Sequence, residues 1–196
     1  MPLRKTVLLV AAASITALLG VEYLRLLKPA QAREIEAACR GLKPAPRNTA
    51  LGVLPTRAPD FEAQDWSGKM VKLSDFRGKV VLLRFWGSWC ETCKAEQPSL
   101  EDLAASGEDD LVVIAIASDD SWEPIRKKMP AGSNAMVLLD PPDEGAIGPI
   151  AEAYGVSAVP ESVIIDREGI ARYYMDNRRD WRGTVARTCL RSVLDE

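Results

Sequence analysis

Cys90 and Cys93 stand in the run Phe85-Trp86-Gly87-Ser88-Trp89-Cys90-Glu91-Thr92-Cys93-Lys94, where an apolar strand pattern passes directly into a helical one. At a helix start, free N–H groups and the positive end of the dipole stabilise a thiolate, so the spacing points to Cys90 as a nucleophile. Cys93, nearly one turn on, falls on the same flank and can attack a mixed disulfide formed at Cys90. The implied chemistry is thiol-disulfide exchange. Two other readings of the pair stay open: half of a zinc site, or a structural disulfide. A closed zinc site needs four N or S ligands. The chain has no histidine and only two further cysteines, Cys39 and Cys189, neither with a partner nearby in sequence. Trp89 before the pair and the helix behind it favour redox work over a passive staple.

The elements that must position these thiols follow from pattern. Lys79 to Trp86 is an apolar run broken only by Arg84, which suits a central strand covered on both faces. A helix from Glu91 to Ala105 and a second buried strand from Leu111 to Ala117 complete a βαβ unit with parallel strands. Ahead of it, Phe61 to Leu73 reads as a β-hairpin turning at Trp66-Ser67-Gly68-Lys69, and Ser74 to Gly78 as one helical turn. Beyond it come a helix over Trp122 to Met129, an extended stretch over Ala135 to Leu139 and a helix over Ile147 to Tyr154. A strand over Glu161 to Ile165, a tight turn at Asp166-Arg167-Glu168-Gly169 and an antiparallel partner over Ile170 to Met175 follow. Trp181 to Leu194 is the closing helix. The order predicts an α/β fold of thioredoxin type, three layers about a central mixed sheet.

With 196 residues, 47% of them hydrophobic, and a formal charge of -3, the chain has room for one ordinary domain plus an appendage, and no basic excess suggests nucleic acid. The appendage comes first. Arg4 and Lys5 precede a charge-free stretch from Thr6 to Val21, and Glu22, Arg25 and Lys28 restore polarity. Such a segment is an export signal or a membrane anchor. Sixteen residues are short for a span, which wants about 20, yet the small-x-small run Ala30-Gln31-Ala32 lies far past the apolar stretch for cleavage. An uncleaved anchor is the favoured reading. It keeps the N-terminus in the cytoplasm and puts the remainder outside, which is the periplasm if the source is a Gram-negative bacterium. Residues 1–30 are then the signal or anchor helix. Residues 31–56 hold a short helix over Gln31 to Leu42 and a proline-rich linker, and residues 57–196 the domain.

Phe-Trp-Gly-Ser-Trp-Cys-Glu-Thr-Cys-Lys-Ala-Glu-Gln-Pro, from Phe85 to Pro98, resembles the active-site signature of membrane-anchored thioredoxin-like proteins of the TlpA and ResA type. Leu73 to Lys79 before the central strand, Pro98 within the helix, and Gly155 to Pro160 before a strand agree with it, over residues 57–196. The resemblance implies that Pro160 follows a cis bond and packs beside the dithiol, keeping metal away and helping a client backbone dock. A proline at the first position of a strand gives up no ladder bond, so the place suits it. Val159 and Thr92 fall in the same surroundings. Glu96 matches an acid that ResA-like proteins keep near the active site, where it can take the proton from Cys93; a solvated helix glutamate is the plain alternative. Glu91 should oppose ionisation of Cys90 by like charge. Glu161 is similar to an acid in the cytochrome c maturation branch, or it is an ordinary strand-start residue. Arg84 departs from the family pattern. A buried guanidinium needs a partner, so Arg84 is expected to reach Glu96 or Glu161, unless it snorkels to the rim.

Cys39 and Cys189 are either bonded, stapling the N-terminal segment to the closing helix for about 4 to 5 kcal/mol in the entropy account, or two free buried thiols. The function implied is a thiol-disulfide oxidoreductase outside the cytoplasm, reducing client proteins in cytochrome c or copper-centre assembly. A transmembrane electron donor would recharge it, and it needs no cofactor beyond the dithiol. Rivals are a peroxiredoxin-like peroxidase, whose pattern wants threonine where Gly87 stands, and a copper chaperone, whose pattern wants a histidine the chain lacks.

Overall fold

A computed structural model describes residues 14–23, Cys39, 51–129 and 132–196. Two compact units divide the chain, Met1–Ala38 and Cys39–Glu196. In the first, residues 14–23 form helix α1, with Ile15, Leu18 and Leu19 exposed. Among the described residues no helix is long and apolar enough to cross a membrane. The remainder of the expected anchor, and the expected helix over Gln31 to Leu42 apart from Cys39, lie outside the described residues.

The second unit is built on one eight-stranded mixed sheet in the order β1-β8-β7-β4-β5-β6-β2-β3. The strands are β1 (Thr56–Arg57), β2 (Glu62–Asp65), β3 (Met70–Lys72), β4 (Val80–Trp86), β5 (Leu111–Ala117), β6 (Met136–Leu139), β7 (Glu161–Ile165) and β8 (Ile170–Asp176). β4 lies at the centre and is buried at every position, as a strand covered on both faces must be. It pairs in parallel with β5, from Val80 opposite Leu111 to Trp86 opposite Ala117, and antiparallel with β7. The crossover between β4 and β5 is helix α2 (Glu91–Ala104). Helices α3 (Trp122–Lys128), α4 (Pro149–Ala153) and α5 (Thr184–Leu194) follow. The core gathers inward residues from several strands, among them Leu83, Phe85, Ile114, Ile116, Val163 and Tyr174.

Most expected elements fall within a residue or two of their places. The exceptions have local causes. α5 starts at Thr184 rather than Trp181, because Asp180 to Gly183 form a turn, closed by the Gly183 amide on the Asp180 carbonyl at 2.8 Å, and Gly183 with ψ 143° is the N-cap. The stretch read as a linker contributes β1, paired through Thr56 with Ala171 and Arg57 with Ile170, and Leu51 is fully buried in the core. Packing therefore begins ahead of residue 57. The β7–β8 turn closes as expected: Gly169 adopts φ 79°, and Asp166 Oδ1 accepts the amides of Glu168 and Ile170 at 3.1 and 2.8 Å.

Cys39 and Cys189 are joined by a disulfide across a sequence separation of 150, and both are fully buried. The bond ties Cys39 to α5. Replacing both by alanine is expected to lower the unfolding free energy by about 2–4 kcal/mol in urea titrations under oxidising conditions. A loss below about 0.5 kcal/mol, the scatter typical of a surface change, would show that the bond does not hold the fold.

Candidate active site

β4 delivers the chain to a short loop, Gly87 to Trp89, and Cys90 is the N-cap residue of α2 with φ −85° and ψ 109°. Its sulfur accepts the Cys93 amide at 3.1 Å, in the way a serine oxygen caps a helix. Cys90 and Cys93 are bonded to each other, with Cα atoms 5.3 Å apart. Cys90 is 5% exposed and Cys93 1%, so an incoming sulfur meets Cys90 first. Cys90 Sγ lies 3.6 Å from the Val159 carbonyl oxygen and 3.8 Å from Thr92 Oγ1. The Val159–Pro160 bond is cis and Pro160 is buried, and the carbonyl ahead of this proline meets the Cys90 sulfur across 69 positions of sequence. Once the disulfide opens, the first-turn amides face the Cys90 thiolate.

The loop is held from below. Asp119, 4% exposed, accepts both the amide of Ser88, at 2.9 Å, and its hydroxyl. Trp89 Nε1 donates to the Ser118 carbonyl at 3.0 Å, while half of the Trp89 side chain stays in solvent beside Cys90. The indole folds back over Gly87 so closely that a Cβ there would lie 2.5 Å from Trp89 Nε1. Only glycine fits. A threonine at this place would expel the tryptophan. Ser88, Ser118 and Asp119 escaped the sequence reading. Their one signal was position, since Ser118 and Asp119 follow β5 at the carboxyl end of a parallel strand, where open α/β sheets build their sites.

Behind the dithiol, Arg84 is fully buried and paired with fully buried Glu96, Nε to Oε2 at 2.9 Å. Its other donors reach the Cys93 carbonyl from Nη2 at 2.8 Å and Gln97 Oε1 from Nη1 at 3.0 Å. Burial pulls the guanidinium below its ordinary value, and Glu96 opposes that pull. The second oxygen of Glu96 accepts Trp181 Nε1 at 2.9 Å and the Arg179 amide at 3.3 Å. Of the two partners expected for Arg84, register selects one. Phe85 is opposite Glu161 and Arg84 opposite Ser162, so Arg84 and Glu161 point to opposite faces of the sheet. Neither Arg179 nor Trp181 could be placed from sequence, because both belong to a loop that reaches α2 only through tertiary folding.

Glu91 is exposed and bonded to Lys94, which holds its carboxyl below the usual range. The like-charge opposition expected at Cys90 is therefore offset by a neighbouring ammonium. Glu161, next to Pro160, accepts the hydroxyl of Tyr174. Burial pushes its carboxyl up, the Tyr174 bond pulls it down, and Asp176 adds to the rise. Among the described residues no group of three or more Cys, Asp or Glu is placed to hold a metal ion.

A bonded thiol pair where the central strand of a mixed sheet passes into a helix, with the carbonyl ahead of a cis-proline against the outer sulfur, defines a thioredoxin-like protein. The AhpC/TSA family model matches residues 55–174, and the chain belongs to that family. Thiol-disulfide oxidoreductase ResA of Bacillus thuringiensis subsp. konkukian is 35% identical over 113 residues, 57% of this chain and 63% of that protein. ResA of Geobacillus thermodenitrificans is 33% identical over 125 residues, 62% and 67% of the two chains. The chain thus spans just under two thirds of the length of the first of these relatives and just over that of the second. Among solved structures, a thiol:disulfide interchange protein DsbE of Chlorobium tepidum superposes with TM-score 0.64 and 28% identity over 71% of this chain and 96% of that one. The pneumococcal exposed lipoprotein thioredoxin of Streptococcus pneumoniae does so with TM-score 0.56 and 30% identity, over 66% and 98%.

Burial raises the Glu161 carboxyl. A carboxyl raised above its ordinary 4.5 binds its proton more tightly folded than unfolded. Its contribution is then present below the unfolded value and lost as pH rises through the folded one. Glu161→Gln should gain stability over wild type as pH climbs from 4.5 to 8, read by urea unfolding of both proteins. A difference independent of pH would contradict the shift.

Proposed function

We propose that this chain is a thiol-disulfide oxidoreductase that works outside the cytoplasm and reduces disulfides in client proteins. The observation that carries the reading is Cys90 as sulfur N-cap of α2, the more exposed of the pair, against the Val159–Pro160 carbonyl edge. The Cys90 thiolate attacks one sulfur of a client disulfide and the other client sulfur leaves as thiolate. Cys93 then attacks Cys90, the mixed bond breaks, and the second client sulfur leaves. Two electrons pass from the dithiol to the client, and Cys90 and Cys93 end bonded to each other. Pro160 and Val159 shape the docking edge, with the exposed face of Trp89 beside it. Glu96 is the buried acid on the Cys93 flank of the helix.

The names of the similar proteins, thiol-disulfide oxidoreductases and an interchange protein, support the reaction class. The clients proposed, in cytochrome c or copper-centre assembly, and the transmembrane donor that re-reduces the pair rest on the TlpA and ResA resemblance. Placement rests on Arg4 and Lys5 ahead of the charge-free run Thr6 to Val21 and on the exposed Ile15, Leu18 and Leu19 of α1. Residues 1–30 would anchor the protein in a bacterial inner membrane with the domain, residues 57–196, in the periplasm. That compartment suits a Cys39–Cys189 bond.

Single substitutions separate the roles. Cys93→Ser should accumulate a mixed disulfide with a model substrate such as glutathione disulfide, while Cys90→Ser forms none, both read by intact-mass spectrometry. A Cys93→Ser protein that stays unmodified would refute the assignment. Hydrogen peroxide consumption outrunning disulfide reduction in wild type would replace it with the peroxidase reading.

A further inference from the structure

We infer that Arg84 is a positioning residue that sets the balance between the open dithiol and the disulfide. It does so by holding a positive charge against the first turn of the redox helix, an inference that rests on the oxidoreductase reading above. Its three bonds go to Cys93, Glu96 and Gln97, positions i, i+3 and i+4 of one helix face. A planar guanidinium presents five donors in a rigid fork, which suits three acceptors spread along one helix face better than the compact ammonium of a lysine does. The guanidinium is without solvent exposure, so little screens its field.

The pair with Glu96 is not symmetric about the dithiol. Glu96 is engaged at Nε and turns its other oxygen to Trp181 and the Arg179 amide, on the loop behind the helix. The Nη2 edge rests on the carbonyl of Cys93 itself, at 2.8 Å. The ion pair is therefore a buried dipole whose positive end rests on the backbone carbonyl of the resolving cysteine. A thiolate formed when the disulfide opens is stabilised by that end, so the open form is favoured and the protein is a milder reductant than the same fold without the charge.

Glu96 accepts from Arg84 on one oxygen and from Trp181 and the Arg179 amide on the other, and its carboxylate is the counter-charge that orients Arg84. In the resolving step Cys93 sulfur bonds to Cys90 sulfur, the Cys90–client bond breaks, and the proton of Cys93 ends on the departing client thiol. No further oxidant or reductant enters.

The test is the equilibrium constant of the Cys90–Cys93 couple with reduced and oxidised glutathione at pH 7, for wild type and two variants. Arg84→Gln combined with Glu96→Gln removes both charges without stranding either. It should move the constant about tenfold toward the disulfide. Glu96→Gln alone leaves the positive charge uncompensated and should move it the other way, toward the dithiol. Far-ultraviolet circular dichroism identifies which variants are folded, and either one suffices. Opposite movements, or the expected movement in a sole folded variant, carry the assignment. A folded variant whose constant stays within about threefold of wild type overturns it, as does movement of both in one direction. If wild type itself does not equilibrate with glutathione, the oxidoreductase reading falls instead, and this assignment with it.

Discussion

The bond from the Cys93 amide to the Cys90 sulfur, 3.1 Å long, is the constraint on which the rest of the site depends. It makes a sulfur the cap of a fourteen-residue helix and so fixes which thiol faces the amides and which is hidden behind it. Everything near it serves to keep that cap in place. The parallel pairing of β4 with β5 sets where the loop begins, and the Ser118 amide takes the Trp86 carbonyl at 2.8 Å as β4 ends. Asp119 then holds Ser88, and Trp89 closes over Gly87. Few conformations remain to the three residues before Cys90, so under the proposed function the sulfur is placed before a client would arrive. Pre-placement of this kind removes an ordering cost from the exchange step.

Burying charge beneath such a site is expensive. Removing one partner of a buried ion pair typically costs about 3–5 kcal/mol, while replacing both with apolar groups is often neutral. Stability therefore does not explain why Arg84 and Glu96 are there. Geometry does, since one guanidinium ties the central strand to three positions on the redox helix, and one carboxylate ties that helix to the Arg179–Trp181 loop. Pro98, which offers no amide, lies within the same helix, and its carbonyl accepts Arg182 at 3.3 Å. The redox helix is thus fastened on its inner flank by side chains rather than by its own ladder alone.

Much of this was legible from residue pattern. The run Val80 to Trp86 announces a central strand because nothing but Arg84 interrupts it, and the two thiols announce a helix start because only there does their spacing do chemistry. Pro160 is legible through family likeness and its place at a strand start. Other parts were out of reach for physical reasons. Both Glu96 and Glu161 could have met Arg84, and the choice depends on an inter-strand register that no local pattern states. β1 is two residues long, too short to carry an alternation, and its place is fixed by β8. Trp181 looks like the first residue of an amphipathic helix, yet the turn from Asp180 to Gly183 delays α5 to Thr184. Cys39 and Cys189 could be paired or free on sequence grounds, and only packing brings their Cα atoms to 5.6 Å.

The central claim is that the capped pair is a working couple and the distant pair a staple. Stepwise reduction with dithiothreitol, followed by alkylation and peptide mapping of the folded protein, tests it most directly. The account predicts that Cys90 and Cys93 are labelled together at low reductant while Cys39 and Cys189 stay bonded until the domain unfolds. Labelling of the distant pair first, or no labelling of Cys90 at any reductant concentration that leaves the fold intact, would contradict it.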